Sequence, residues 1–168
     1  MALKAKFAGR EALTRKLRQI VPEAELEYAK AIEVGAKELA EAIRARAPRG
    51  ETGDYAASIE AGKVAGRNDG RKAIGIQATK DPHAWGIFAD WKWRFLEFGT
   101  KAHIIKPKLA KRLSFTASDG ERVTAAQVSH PGTAAQPHIF PTFRAMRKRI
   151  RARVSRSINK AVRKVAGK

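Results

Sequence analysis

Cysteine is absent from the chain, so disulfides, thiolate zinc sites and cysteine nucleophiles are excluded. Histidine is sparse. His83, His103, His130 and His138 are the four present, and none is paired four residues apart on a helix or set beside a carboxylate at metal-ligand spacing. Turn and strand-end histidines bonded to backbone are the expected roles. Ser58, Ser114 and Ser129 lack a nucleophile-elbow context, and "GRNDGRKAIG" lacks the strand-to-helix setting of a phosphate-cradling loop. Long apolar runs are also missing. No stretch approaches the ~18 residues of a membrane span, and the opening "MALKAKFAGREALTRKLRQ" holds no apolar signal core. These absences predict a protein with no catalysis, cofactor, metal or membrane partner, used in a cytoplasm-like compartment.

Acidic residues are the next scarcity. None follows Glu121, and 35 Lys and Arg against 16 Asp and Glu give a net charge of +19. Such a field draws polyanions, whether nucleic acid, anionic lipid or acidic protein surfaces, without choosing among them. The 168 residues, 43% of them hydrophobic, suffice for a single domain with one core.

Periodicity supplies the elements. Leu13, Leu17 and Ile20 predict a short helical arm over residues 1–21. Pro22 followed by "EAE" reads as a fresh helix start. Leu26, Ala29, Ile32, Ala36, Leu39, Ile43 and Ala47 then step by three and four up to Pro48, so this second helix should stop near Arg46. "SIEAGKVAG" and "KAIGIQAT" flank Asp69-Gly70 and predict a hairpin. Residues 85–98 fit either a strand or a helical face, with a short helical turn ending at Gly99 preferred. "AHIIKPKLAKRLSF" and "ERVTAAQVSH" predict two more strands around "TASDGE", Pro107 confining the first to an edge. Phe143, Met146, Ile150, Val154, Ile158, Val162 and Val165 mark a long amphipathic tail helix with an all-basic opposite face.

The fold class that results is α+β. A long N-terminal helix and a long basic C-terminal helix pack on a small, mainly antiparallel β-sheet, in a single domain of residues 1–168 with a core over 22–143 and a basic helix over 144–168.

Two features invite function. The tail cations Arg144, Arg147, Lys148, Arg151, Arg156 and Arg163 could bind phosphates, pair with an acidic protein, or form a solvated face on a core helix. Glu97, alone among aromatics before a glycine turn, has no visible catalytic partner. An ion pair with a nearby Lys or Arg, or a cap on N–H groups of the turn, suits it better. Gly99 reads as a positive-φ residue reversing the chain.

Four boxes in order then resemble one family. "ARAPRGETGDYAASI" resembles an Ala-Pro, Thr-Gly, Ser-Ile pattern, with Tyr55 where leucine is usual. "WRFLEFGT" resembles a hydrophobic-Glu-aromatic-Gly-Thr box. "HIIKPKLAKRLSF" and "VSHPGTAAQPHIFPTF" resemble a strand and a His-Pro-Gly-Thr loop leading to a Gln-Pro-aromatic helix start, with His138-Ile139-Phe140 where phenylalanine more often follows the proline directly. Together, over residues 36–150, they resemble the tail-completion or neck (head–tail joining) family of tailed bacteriophages, similar to the minor tail protein Z group.

The resemblance implies a non-enzymatic virion protein at the head–tail joint or head-proximal tail end. It would be assembled in the host cytoplasm as a hexameric or dodecameric ring around the DNA channel. Partners would be sister subunits, neighbouring connector and tail-tube proteins, and packaged double-stranded DNA. Subunit or partner contacts would fall on Trp91, Trp93, Phe95, Glu97, Phe98, Gly99, Thr100, Ile104, Ile105, Pro107, His130, Pro131, Gly132, Pro137 and Phe140.

Overall fold

The computed structural model describes residues 10–50, 52–67, 69–75, 79–117 and 120–167, side chains of 10–20 and 166 excepted. Two compact units emerge, Met1–Asp90 with Ile139–Lys168, and Trp91–His138.

The first unit is built on two long helices, α1 (Arg10–Arg46) and α4 (Ile139–Ala166). The helix break expected at Pro22 does not occur. α1 runs through it for 37 residues, about 55 Å of helix. A mid-helix proline forfeits one backbone bond and crowds the carbonyl four residues back, at a cost of about 3 kcal/mol. Pro22 is exposed, so the carbonyl left without its usual donor can be hydrated. Leu26, expected on the buried stripe, is also exposed at 50%. The real stripe runs through Ala31, Gly35, Leu39, Ile43 and Ala47.

Contacts along α1 meet α4 in reverse order, so the helices are antiparallel. Arg46 Nη1 donates to the fully buried Thr142 at 3.1 Å. Glu38 takes Arg149 at 2.9 Å and Arg153 at 2.6 Å, and Glu23 takes Lys164 at 2.7 Å. Surface pairs of this kind contribute about 0–1 kcal/mol each. Close packing of small residues matters more. Ala31 and Ala161 are buried, and a Cβ on Gly35 would stand 3.1 Å from Ile150 Cγ2. α4 starts with Pro141 in its first turn, where a missing N–H costs nothing, and ends on Arg163 and Lys164 beside the negative end of its dipole.

Between the helices in sequence lie α2 (Asp54–Ala57), β1 (Glu60–Lys63) and β2 (Trp85–Phe88). The hairpin expected around Asp69-Gly70 is not the pairing adopted. β1 pairs antiparallel with β2, Glu60 opposite Phe88 and Lys63 opposite Trp85. The described part of "KAIGIQAT" forms no strand, although Ile74 N–H bonds the Ile87 carbonyl at 2.8 Å; residues 76–78 lie outside the described set. The turn signal itself is real. Asp69 binds Arg67 Nε at 2.7 Å and Arg71 Nε at 2.9 Å, and the Arg67 guanidinium lies 3.8 Å over the Phe88 ring. Side-chain closure has replaced a backbone ladder. Ile43, Ile59 and Phe88, each at most 1% exposed, form the centre of this core.

The second unit contains α3 (Trp93–Phe98) and two two-stranded antiparallel sheets. β3 (His103–Ile105) pairs with β6 (Val128–His130), and β4 (Leu113–Thr116) with β5 (Arg122–Ala125). The two strands expected on either side of "TASDGE" are therefore each divided in two: Pro107, which cannot donate to a ladder, lies between β3 and β4, and Ala126 and Gln127 separate β5 from β6. The ambiguity over residues 85–98 resolves as both answers in turn. β2 comes first and α3 follows, closed by Gly99 at φ 72°.

Candidate functional site

Residues 91–138 form an arm held by polar latches. Leu96 accepts from Gln136 N–H at 2.7 Å, and Thr100 and Thr133 exchange backbone bonds at 2.9 and 3.1 Å. Glu97, only 3% exposed, accepts the His138 backbone N–H at 2.8 Å, and His138 Nδ1 lies 3.4 Å from the same carboxylate oxygen. This bond joins Glu97 to the residue just ahead of α4, 41 positions on.

Two glycines set the latch geometry. A Cβ at Gly99 would stand 2.6 Å from the Thr133 carbonyl oxygen and 2.9 Å from Ala135 N. At Gly132, φ 92°, it would collide with the Thr100 carbonyl oxygen. His130 Nδ1 accepts Gly132 N–H at 3.0 Å, which fixes its neutral tautomer with the proton on Nε2. His103, opposite it across β3–β6, stacks at 5.1 Å between centroids, its Nδ1 against the Lys101 carbonyl at 2.8 Å. His130 Nε2–H is thus a donor rather than a metal ligand, and no cluster of three or more metal-ligating side chains occurs among the described residues.

What this arm lacks is an apolar interior. Its buried residues are Glu97 and His138, both polar, and no apolar side chain of the described part is buried. Trp91, Phe95, Phe98, Ile104, Ile105, Leu109, Phe115 and Val123 are all exposed. Trp91 and Phe95 meet edge to face at 5.6 Å, and Trp93 and Phe98 lie tilted at 6.2 Å, yet only Trp93 of these aromatics is half-buried. Trp91, Phe95 and Phe98 thus lie on the surface of this unit and not in a core.

Among the other sequence-selected positions, Thr100, Pro107, His130 and Gly132 are half-buried, and Pro131 and Pro137 exposed. Phe140 belongs to α4 in the other unit. Leu109, Phe115, Val123 and the buried His138 were not selected. Leu109 left one signal, a lone aliphatic residue flanked by lysines in "KPKLAK".

The second candidate surface is the basic side of α4. Arg144, Arg147, Lys148, Arg151, Arg156 and Arg163 are all exposed, and none forms an ion pair with a described residue. The α4 cations paired with described acids are Arg149, Arg153 and Lys164. No helix among the described residues is long and apolar enough to cross a membrane.

Over residues 11–99, just over half of the chain, which hold α2, β1, β2, α3 and all but the first residue of α1, the sequence matches a family model for a class of bacteriophage tail component. The chain belongs to the HK97-gp10-like family, described as "Bacteriophage HK97-gp10, putative tail-component". The first sequence box lies inside that match and the second reaches its end; the other two follow it. Neither a curated protein nor a solved structure matches the chain.

Proposed function

We propose that this protein is a structural component of the phage head–tail joint or head-proximal tail end. It assembles as a ring of identical subunits around the DNA channel and performs no catalysis. The observation that carries this reading is the arm of residues 91–138, which exposes eight large apolar side chains and buries none among those described. An isolated two-stranded ribbon is at best marginally stable in water, and apolar surface on this scale marks a protein-binding face. Sister subunits, and the connector and tail-tube proteins on either side, would cover it. The outward cations of α4 would face packaged DNA or acidic neighbours.

A second reading rests on those same six cations: a nucleic-acid-binding protein without sequence preference. Light scattering after size exclusion, with and without duplex DNA, separates the two. A closed oligomer without DNA is expected. A monomer that binds DNA through residues 144–168 would replace the first reading with the second.

A further inference from the structure

The β3–β6 ribbon carries a pair of titratable rings. His103 and His130 stand opposite each other in its ladder, 5.1 Å apart between centroids and inclined by 30°. Their neutral forms are opposite tautomers. His103 Nδ1 lies 2.8 Å from the Lys101 carbonyl, which only accepts, so the proton is on Nδ1 and Nε2 is open. His130 Nδ1 accepts the Gly132 N–H at 3.0 Å, so its proton is on Nε2.

A further proton therefore acts differently on the two rings. Added at His103 Nε2, it breaks neither of these bonds. Added at His130 Nδ1, it turns the acceptor of the Gly132 N–H into a second donor and sets one imidazolium against another. The surroundings do not offset that charge. β3 and β6 form a two-stranded sheet, and the charged residues flanking it in sequence, Lys101 and Lys106, are cations. Asp119 and Glu121 fall between β4 and β5 in sequence. Among the described residues, the histidines paired with carboxylates are His83 and His138.

The bond at stake adjoins the closure of the arm. Gly132, at φ 92°, lies against the Thr100 carbonyl. The next residue, Thr133, exchanges backbone bonds with Thr100 and also donates to its hydroxyl at 2.9 Å. We propose that the His103–His130 pair is a pH-sensitive catch on this bridge: it holds the bridge closed while both rings are neutral and releases it when both are charged. The stabilisation is present at high pH and is lost as the pH falls, in the range of pH 5 to 8 where imidazoles change charge. The catch works within one chain and does not depend on how subunits assemble.

Hydrogen exchange read by mass spectrometry on the full-length protein, at about pH 7.5 and about pH 5 with rates corrected for intrinsic exchange, tests it. Protection of residues 128–135 should fall about tenfold at the lower pH, the scale of one hydrogen bond, while α1 and α4 keep theirs. His130→Asn, whose side-chain carbonyl can accept the same N–H in an Asx turn without titrating, should hold its protection at both pH values. His103→Gln, at an exposed position, should show a smaller fall than the parent. Unchanged protection in the parent would overturn the catch. An equal fall in His130→Asn would place the sensor elsewhere, at His138 beside Glu97, and an undiminished fall in His103→Gln would dissolve the pair; either result would overturn it too.

Discussion

Glu97 shows how much of a phage structural protein can rest on one carboxylate. Surrounded by aromatics in sequence, it resembles a catalytic acid, but its oxygen serves the His138 backbone N–H at 2.8 Å. Removing the acceptor strands a buried donor, which typically costs about 1–3 kcal/mol. Glu97→Ala should therefore lower stability to urea by about that amount. Glu97→Gln, whose amide oxygen can still accept, should lose clearly less; equal losses would mean that the charge itself is required. Asp81 offers a pH-dependent counterpart. The Tyr28 hydroxyl donates to it at 2.8 Å and the His83 backbone N–H at 2.8 Å, and these bonds hold its carboxyl below the ordinary carboxylate value, Tyr28 foremost. A depressed carboxylate stabilises the fold above its unfolded pKa, near 3.8, and that contribution fades as the pH falls through the lower folded value. Tyr28→Phe should move the Asp81 titration, followed by carboxyl NMR, back up towards the ordinary range and flatten the acid limb of stability. An unmoved titration would mean that the His83 N–H alone holds it.

At the scale of elements, the helices were legible and the strand partners were not, for physical reasons. Steps of three and four between Ala36, Leu39 and Ile43 declare a helix whatever surrounds them. Pro22 misled because a local penalty predicts a break, whereas α1 runs on through it with the proline on an exposed position. The Asp69-Gly70 turn misled in another way. Its residues turn the chain, but β1 finds its partner at Trp85–Phe88, and a four-residue strand containing glycine carries little register information. Glu97 could be singled out from its setting, yet its partner at residue 138 leaves no mark at short range. Gly99 is the opposite case, readable in sequence and decisive in structure. Its φ of 72° disfavours any side chain, and the Thr133 carbonyl and Ala135 N occupy the space a Cβ would need. Gly99→Val should break the Thr100–Thr133 bridge, abolish assembly in light scattering, and leave a helical monomer by circular dichroism. Normal rings from that variant would show that the bridge is dispensable.

At the scale of the whole molecule, the excess of positive charge is divided in its use. Arg149, Arg153 and Lys164 spend theirs on Glu38 and Glu23 of α1, while Arg144, Arg147, Lys148, Arg151, Arg156 and Arg163 present theirs to solvent. The distinction yields a quantitative expectation. If all six outward cations neutralise phosphates, log K for duplex DNA should fall against log salt with a slope of about −5, since each contact contributes about −0.9. Replacing Arg144, Lys148 and Arg151 with glutamine should bring the slope to roughly −2.5 and weaken binding equally for unrelated sequences, because phosphate contacts carry no base readout. Those residues lie away from the Glu38 and Glu23 pairs, so thermal stability should stay near that of the parent. A slope unaffected by the triple change would move the DNA contact off this face of α4 and leave its arginines to an acidic protein neighbour. Such a neighbour would compete with DNA for the same cations, so the order in which the two are added would decide which remains bound at low salt, and 0.5 M salt would release both.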